Sequence, residues 1–348
     1  LHTAYRRQRQ MCIRDRDNTY TVKSMKDVAV AKIGDTYYKT LAKAVAAADN
    51  ATVTLLKNTT EDITIASDKT VTLDLAGHKL TNVSGHTITN NGTLFVTGNG
   101  TVDNIAHGKG ALYNNTGATA TLNGGTFTRS AEKGTASPDS ANGNSWYTVK
   151  NYGTMTINSN VTITNTGSHS SAVANGWFDV SKAGSNGEPI YTTNAVLTIN
   201  GGNISGGKIT VKNDDYGTLT ITGGSISQPL NGLYCIYNAN VTAISGGNVN
   251  GPVGNYNGTS TEADQGKFSI TGGYFTSDPS AYIDSSNYHI ASTNNGSYPY
   301  AVLSGPQTAT PIIVKDNTTT TVPDVAGLTT EDKTNISLLL YTSDAADD

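Results

Sequence analysis

From Thr52 onward apolar residues fall at every second position: Val53 and Leu55, Ile63 and Ile65, then Val71, Leu73 and Leu75, with threonine, lysine and aspartate between them. A period of two marks a strand with one face in the core and the other in water. Before Thr52 the pattern differs. Val28-Ala-Val-Ala-Lys-Ile33 reads as a strand that turns at Gly34-Asp35. Leu41, Ala44, Val45 and Ala48 then recur at i, i+3, i+4 and i+7 behind Thr40, whose hydroxyl suits an N-cap, so one short helix with a narrow apolar stripe is predicted.

The strand pattern is itself repeated. Leu94-Phe-Val-Thr-Gly-Asn-Gly100, Leu197-Thr-Ile-Asn-Gly-Gly-Asn-Ile204, Leu219-Thr-Ile-Thr-Gly-Gly-Ser-Ile226 and Phe268-Ser-Ile-Thr-Gly-Gly-Tyr-Phe275 share the order apolar, polar, apolar, polar, glycine corner, polar, apolar. The anchor position recurs at Val96, Leu122, Ile157, Ile199, Ile221, Ile244 and Ile270, at spacings of 26, 35, 42, 22, 23 and 26. A floor near 22 with longer intervals means a constant coil carrying insertions. A second strand precedes each anchor and ends apolar-x-Asn, at Asn90, Asn114, Asn151, Asn213, Asn238 and Asn255. Asparagine tolerates the backbone of a sharp corner, and its amide can bond the equivalent residue one coil above. A buried asparagine ladder is therefore expected.

Strand, asparagine corner, strand, glycine corner, strand: the sequence predicts an all-β, right-handed parallel β-helix with three strands per coil. A single coil buries too little to hold itself, so the coils must stack, and the exposed end discs need caps. The helix after Thr40 is the expected N-terminal cap. Left-handed β-helices and calcium β-rolls need hexapeptide and nonapeptide periods, which are absent, and a sandwich would show hairpin turns. The expected organisation is an N-terminal strand and helix over 17–51 and the β-helix over 52–303. A closing coil is expected around Asp278 to Tyr282 and Tyr298 to Val302, then a linker and the start of a further segment over 304–337.

Composition changes the picture at the ends. Five of the six arginines lie within residues 1–16, and both 1–16 and 338–348 resemble translated sequencing adapter rather than the Thr/Asn/Gly-rich remainder. Setting them aside leaves Cys235 as the one cysteine, which excludes an intrachain disulfide or a cysteine metal site in the body, and a structural role is expected for it. A formal charge of −4 with 14% charged residues gives no electrostatic reason for a nucleic-acid partner. No stretch is long and apolar enough to cross a membrane as a helix, and nothing points beyond a monomer.

Val28-Ala-Val-Ala-Lys-Ile-Gly-Asp-Thr-Tyr-Tyr-Lys-Thr-Leu-Ala-Lys-Ala-Val45, Thr52-Val-Thr-Leu-Leu-Lys57 and Val71-Thr-Leu-Asp-Leu-Ala-Gly-His-Lys-Leu80 resemble the opening of pectin-lyase-like β-helix regions in surface proteins of gut Firmicutes. Ile270-Thr-Gly-Gly-Tyr-Phe-Thr-Ser-Asp-Pro-Ser-Ala-Tyr282 resembles their closing coil. The resemblance spans most of residues 28–302 and implies a secreted or cell-surface location. It carries no assigned chemistry.

Enzymes of this fold use an arginine base with a calcium-binding acidic cluster, or closely set aspartates with histidine and a basic clamp. Arg129 is the one arginine of the body, without an acidic cluster beside it in sequence. Asp214 and Asp215 resemble the paired aspartates of polygalacturonases, yet they follow Asn213 in a corner, where a solvated turn is the default. Gly85-His86 and His107-Gly108 come too early in the chain for that family's order. The long spacings place insertions at 129–147 and 168–193, both read as leaving the corner after the glycine strand and so as lying side by side. They hold Trp146 and Tyr147, and Trp177 and Phe178. Those rings either stack on sugar faces or form a satellite core that pins the loops. Asp139, Asp179 and Glu188 are the carboxylates a calcium ion would use, though no known ligand spacing is present. No other cofactor is expected. The resulting expectation is a non-catalytic surface protein that binds a glycan or host partner through its insertions. A lyase or hydrolase acting on polyuronates is one alternative, and a purely structural stalk is another.

Overall fold

The computed structural model describes residues 11–14, 20–131, 146–167, 170–176, 194–228, 232–255, 267–293 and 296–305. It is an all-β parallel β-helix whose three faces, among the described residues, are two eleven-stranded sheets and one eight-stranded sheet. The chain visits them in a fixed order. An anchor sheet contains Thr93–Thr97, Thr119–Leu122, Thr154–Ile157, Ala195–Ile199 and Gly217–Ile221. A glycine sheet, entered through the glycine corner, contains Thr101–Asp103, Gly125–Thr128, Val161–Asn165, Asn203–Gly206 and Ser225–Ser227. An asparagine sheet contains Ile88–Asn90, Leu112–Asn114, Val149–Asn151, Ser171–Asn175, Ile209–Asn213, Tyr234–Asn238 and Val253–Asn255.

The anchors stack in register: Val96 opposite Leu122, Leu122 opposite Ile157, Ile157 opposite Ile199, and on through Ile221 and Ile244 to Ile270. Leu73 and Val53 continue the column toward the N-terminus. All of these side chains are buried in one continuous core. A one-residue slip would turn each of them into water, so alternation and register specify each other. Glycine is needed at the corner because the backbone there turns left-handed and passes close to the coil below. Gly224 has φ +93°, and a Cβ on it would lie 2.8 Å from the Gly201 carbonyl oxygen.

Buried asparagines bolt the corner between the asparagine and anchor sheets. The Nδ2 of Asn90 donates to Asn114 Oδ1 (2.7 Å), Asn114 to Asn151 (2.7 Å), Asn151 to Asn175 (2.7 Å), Asn175 to Asn213 (2.8 Å), Asn213 to Asn238 (2.9 Å) and Asn238 to Asn255 (3.1 Å). Each of these amides also reaches a backbone carbonyl, as Asn151 does at Gly153 and Val196, which satisfies both of its hydrogens. Asn175 was not among the asparagines read from the sequence. A second, exposed amide column joins Asn123, Asn158 and Asn200 at the glycine corner.

Thr87, Thr148 and Thr210 hold equivalent positions in alternate coils, each hydroxyl donating to a carbonyl of the glycine strand that ends the same coil, at Asp103, Thr164 and Ser227. Cys235 occupies the equivalent position one coil on, buried, with its thiol donating to the Ile226 carbonyl at 3.3 Å. Burial pushes that thiol well above its ordinary pKa, which makes it inert.

Both ends are closed by changes of direction. At the N-terminus, Leu41–Ala47 is helical and buries Leu41, Ala44 and Val45. Thr40 Oγ1 accepts from the Lys43 amide at 3.3 Å, while the Glu61 carboxylate accepts from the amides of Leu41 and Ala42 at 2.9 and 3.0 Å. The strand expected over Val28 to Ile33 is shorter, Ala31–Ile33, because Met25–Val28 forms a helical turn before it. It pairs antiparallel with Ala51–Leu55 and covers that edge. At the other end the expected closing coil is instead an antiparallel hairpin, Tyr288–Ser292 with Tyr300–Ser304, laid on Gly273–Phe275. Antiparallel pairing stops the parallel ladder, so it serves as a cap where another coil would only renew the edge. Met11–Arg14 and Tyr20–Lys23 pair in a separate two-stranded sheet.

Candidate functional site

Insertions leave this scaffold on both sides of the asparagine sheet. The first departs after the glycine strand Gly125–Thr128 and returns at Trp146, before Val149–Asn151. The second does not leave the same corner, contrary to the sequence reading. Ser171–Asn175, inside the expected insertion at 168–193, is a regular strand of the asparagine sheet, and Val173-x-Asn175 obeys the apolar-x-Asn rule. The chain departs after Gly176, at the opposite corner. The roots of the two insertions therefore flank the outer face of one sheet.

Gly176 lies against the corner of the next coil: it has φ +96°, and a Cβ would sit 2.5 Å from the Asp215 carbonyl oxygen. The first insertion is clamped at both roots. Its exit is held by Asp103, which accepts from the Ser130 amide (2.8 Å) and hydroxyl (2.5 Å) and pairs with Lys79 (2.7 Å). Burial pushes the Asp103 carboxyl upward, but the bonds from Lys79 and Ser130 outweigh it and hold the group below its usual value. The return is held by Arg129, whose guanidinium donates to the carbonyls of Trp146 (2.8 Å) and Ala106 (3.2 Å). Arg129 is buried and used as a structural fork.

On the outer face of the asparagine sheet, Tyr113, Lys150, Ala174, Lys212 and Tyr237 stand one above another in successive strands. Around them the rings join into a belt. His86 stacks on Tyr113 (centroids 4.5 Å apart) and meets Trp146 (5.9 Å), Trp146 meets Tyr147 (5.5 Å), and Tyr113 meets Tyr152 edge-on (5.4 Å). The Lys150 ammonium lies over Tyr147 at 4.4 Å and Tyr152 at 4.7 Å. His86 Nδ1 accepts from the Gly110 amide at 2.9 Å, so that nitrogen carries no proton. Burial, and secondly the nearby Lys109 ammonium, lower the His86 pKa to about 4.

Trp146 and Tyr147 are thus brought together with Asp214, which the sequence had placed apart, and Lys150 is the link. The expected solvated turn at Asp214-Asp215 is wrong: both residues are buried, because Lys150 and Lys212 close over Asp214. The structure divides the belt. Tyr152, Lys150 and Ala174 are buried although they point outward, whereas His86, Tyr113, Trp146 and Tyr147 are half-buried at its rim. Trp177, Phe178, Asp139, Asp179 and Glu188 lie outside the described residues. Sequence reasoning missed Tyr113, Lys150 and Tyr152, and weighed His86 only as half of a Gly-His pair that comes too early in the chain for the polygalacturonase order. The signal for Tyr113 and Lys150 was the x of each apolar-x-Asn triplet, read as a column down the repeat.

Among the described residues no cluster of three or more histidine, cysteine or carboxylate side chains is set to hold a metal, and no helix is long and apolar enough to cross a membrane. Comparisons with protein-family models, with curated proteins and with solved structures find no match.

Proposed function

We propose that this chain is an extracellular, non-catalytic β-helix protein of the pectin-lyase-like kind, from the surface of a gut Firmicutes bacterium. Its half-exposed aromatic rim binds a glycan or a partner on another cell. The observation that carries this reading is the rim itself: His86, Tyr113, Trp146 and Tyr147 form contiguous rings beside a clamped insertion root, Tyr113 on a strand and the others in the segments that lead into Ile88–Asn90 and Val149–Asn151. Flat rings on a fixed scaffold present large contact area with little ordering cost, which suits sugar faces. Asp214, the carboxylate that most resembled a catalytic acid, is buried between two ammonium groups, a poor position for general acid chemistry.

Glycan-array binding by the full chain tests this. Tyr113→Ala and Trp146→Ala are expected to weaken binding at least about tenfold, as loss of a stacked ring does. Tyr274→Ala, an exposed ring on the glycine sheet, is expected to leave it unchanged. Release of unsaturated or reducing ends from polyuronates would replace this reading with the enzymatic one. The burial of Lys150, Tyr152 and Ala174 favours the stalk reading for the covered part of the face, and a chain that binds no glycan would extend that reading to the rim.

A further inference from the structure

Lys150 and Asp214 belong to different coils, 64 residues apart in sequence, yet their side chains are 0% and 1% exposed and Lys150 Nζ lies 3.6 Å from Asp214 Oδ2. Tyr147 and Tyr152 wall the ammonium in. Among the described residues neither Asp214 oxygen accepts a well-formed hydrogen bond; what faces them is Lys150 on Oδ2 and Lys212 Nζ on Oδ1 at 2.7 Å. A carboxylate taken this far out of water normally gathers several hydrogen bonds, and one that does not requires an explanation. The flanking chemistry supplies one, because an amine and a carboxyl held together in a dry pocket lose both charges if they condense.

We propose that Lys150 and Asp214 are joined by an intramolecular isopeptide bond that the folded chain forms by itself. A proton passes first from the Lys150 ammonium to Asp214 Oδ2, and the amide that results carries neither of the two buried charges. The Nζ lone pair attacks Asp214 Cγ, and the π electrons of the Cγ–Oδ1 bond move onto Oδ1. The Lys212 ammonium beside Oδ1 stabilises that oxyanion. A proton then moves from Nζ to the Oδ2 hydroxyl, the Cγ–Oδ2 bond breaks, and one water leaves as the Cγ–Oδ1 double bond re-forms. Atoms and charge balance, and no oxidant or external reagent is consumed. Lys150 is the nucleophile and Lys212 the electrostatic aid, because Lys150 is fully desolvated while Lys212 keeps 15% of its side chain in water. The bond would tie the return of the first insertion to the corner beside the root of the second, and it does not depend on what the rim binds.

Mass spectrometry of the purified full chain tests it. The intact mass is expected to be one water below the value for the sequence, and a tryptic digest is expected to give a branched peptide joining Lys150 to Asp214. Lys150→Arg keeps the charge but cannot form this amide, so it is expected to restore the missing water and lower the thermal midpoint. A full sequence mass with Lys150 and Asp214 in separate linear peptides would overturn the proposal, as would a branch at Lys212. A succinimide loses the same water but leaves linear peptides, and that result also counts against the bond.

Discussion

On the anchor sheet the outward positions Thr121, Thr156, Thr198 and Thr220 stand in register in successive coils, threonine upon threonine. On the asparagine sheet the equivalent outward column reads Tyr113, Lys150, Ala174, Lys212, Tyr237. Both sheets obey the same inward rule, with Ile157 and Ile199 on one and Val149 and Val173 on the other all buried in the common core. The inward residues therefore report only that the chain is a solenoid. The outward residues separate the faces: threonine recurs where nothing but strand propensity is selected, and a mixed column of rings and lysines stands where insertions meet the scaffold.

That contrast is breakable at several strengths. The largest effect is expected at inward positions whichever sheet they belong to. Ile157→Ala should cost about 2–5 kcal/mol in a denaturant titration, since its cavity cannot collapse between stacked coils. A cost near zero would mean that the coils are not packed as described. Next comes Asn151→Ala, which leaves the Asn114 amide without its side-chain acceptor and Asn175 Oδ1 without its donor. The Asn114 amide keeps carbonyl acceptors at Ala118 and Thr154, so a loss of roughly 1–3 kcal/mol is expected, carried mainly by the buried Asn175 Oδ1.

The third test concerns pH and the rim alone. His86 is neutral in the fold, with its pKa lowered from 6.5 to about 4. The unfolded chain therefore binds more protons between those values, and the His86 contribution is complete above pH 6.5 and lost as pH falls toward 4. His86→Phe keeps a ring in the stack and should flatten the difference in stability between neutral pH and the acid end of that window. An unchanged slope would show that His86 is solvated. Smallest of all, Thr121→Val and Thr156→Val on the monotonous face should each change stability by no more than about 0.5 kcal/mol.

Much of the fold was legible because its determinants are local and repeated. The anchors, the glycine corners and the Thr40-capped helix are short patterns whose physics does not depend on distant residues. Asn175 escaped because an insertion follows it where a strand usually does, so its triplet lost the downstream landmark and its strand was absorbed into the loop. The hairpin cap at Tyr288–Ser292 escaped because capping ends the very periodicity that identifies a coil. The site was less legible for a different reason. Lys150 meets Asp214 only because a single strand, Ser171–Asn175, separates the strands of Lys150 and Lys212, and that neighbourhood exists across coils rather than along the chain. Arg129 read as a loop cation and is a buried fork, a distinction set by burial rather than residue type.

Hydrogen exchange of the full chain, with and without a glycan selected from the array, tests the claim that function sits on the interrupted face. Added protection is expected at Leu112–Asn114, Val149–Asn151 and the amides around Trp146, with Thr119–Leu122 and Thr154–Ile157 unchanged. Protection confined to the threonine face, or spread equally over both, would contradict it.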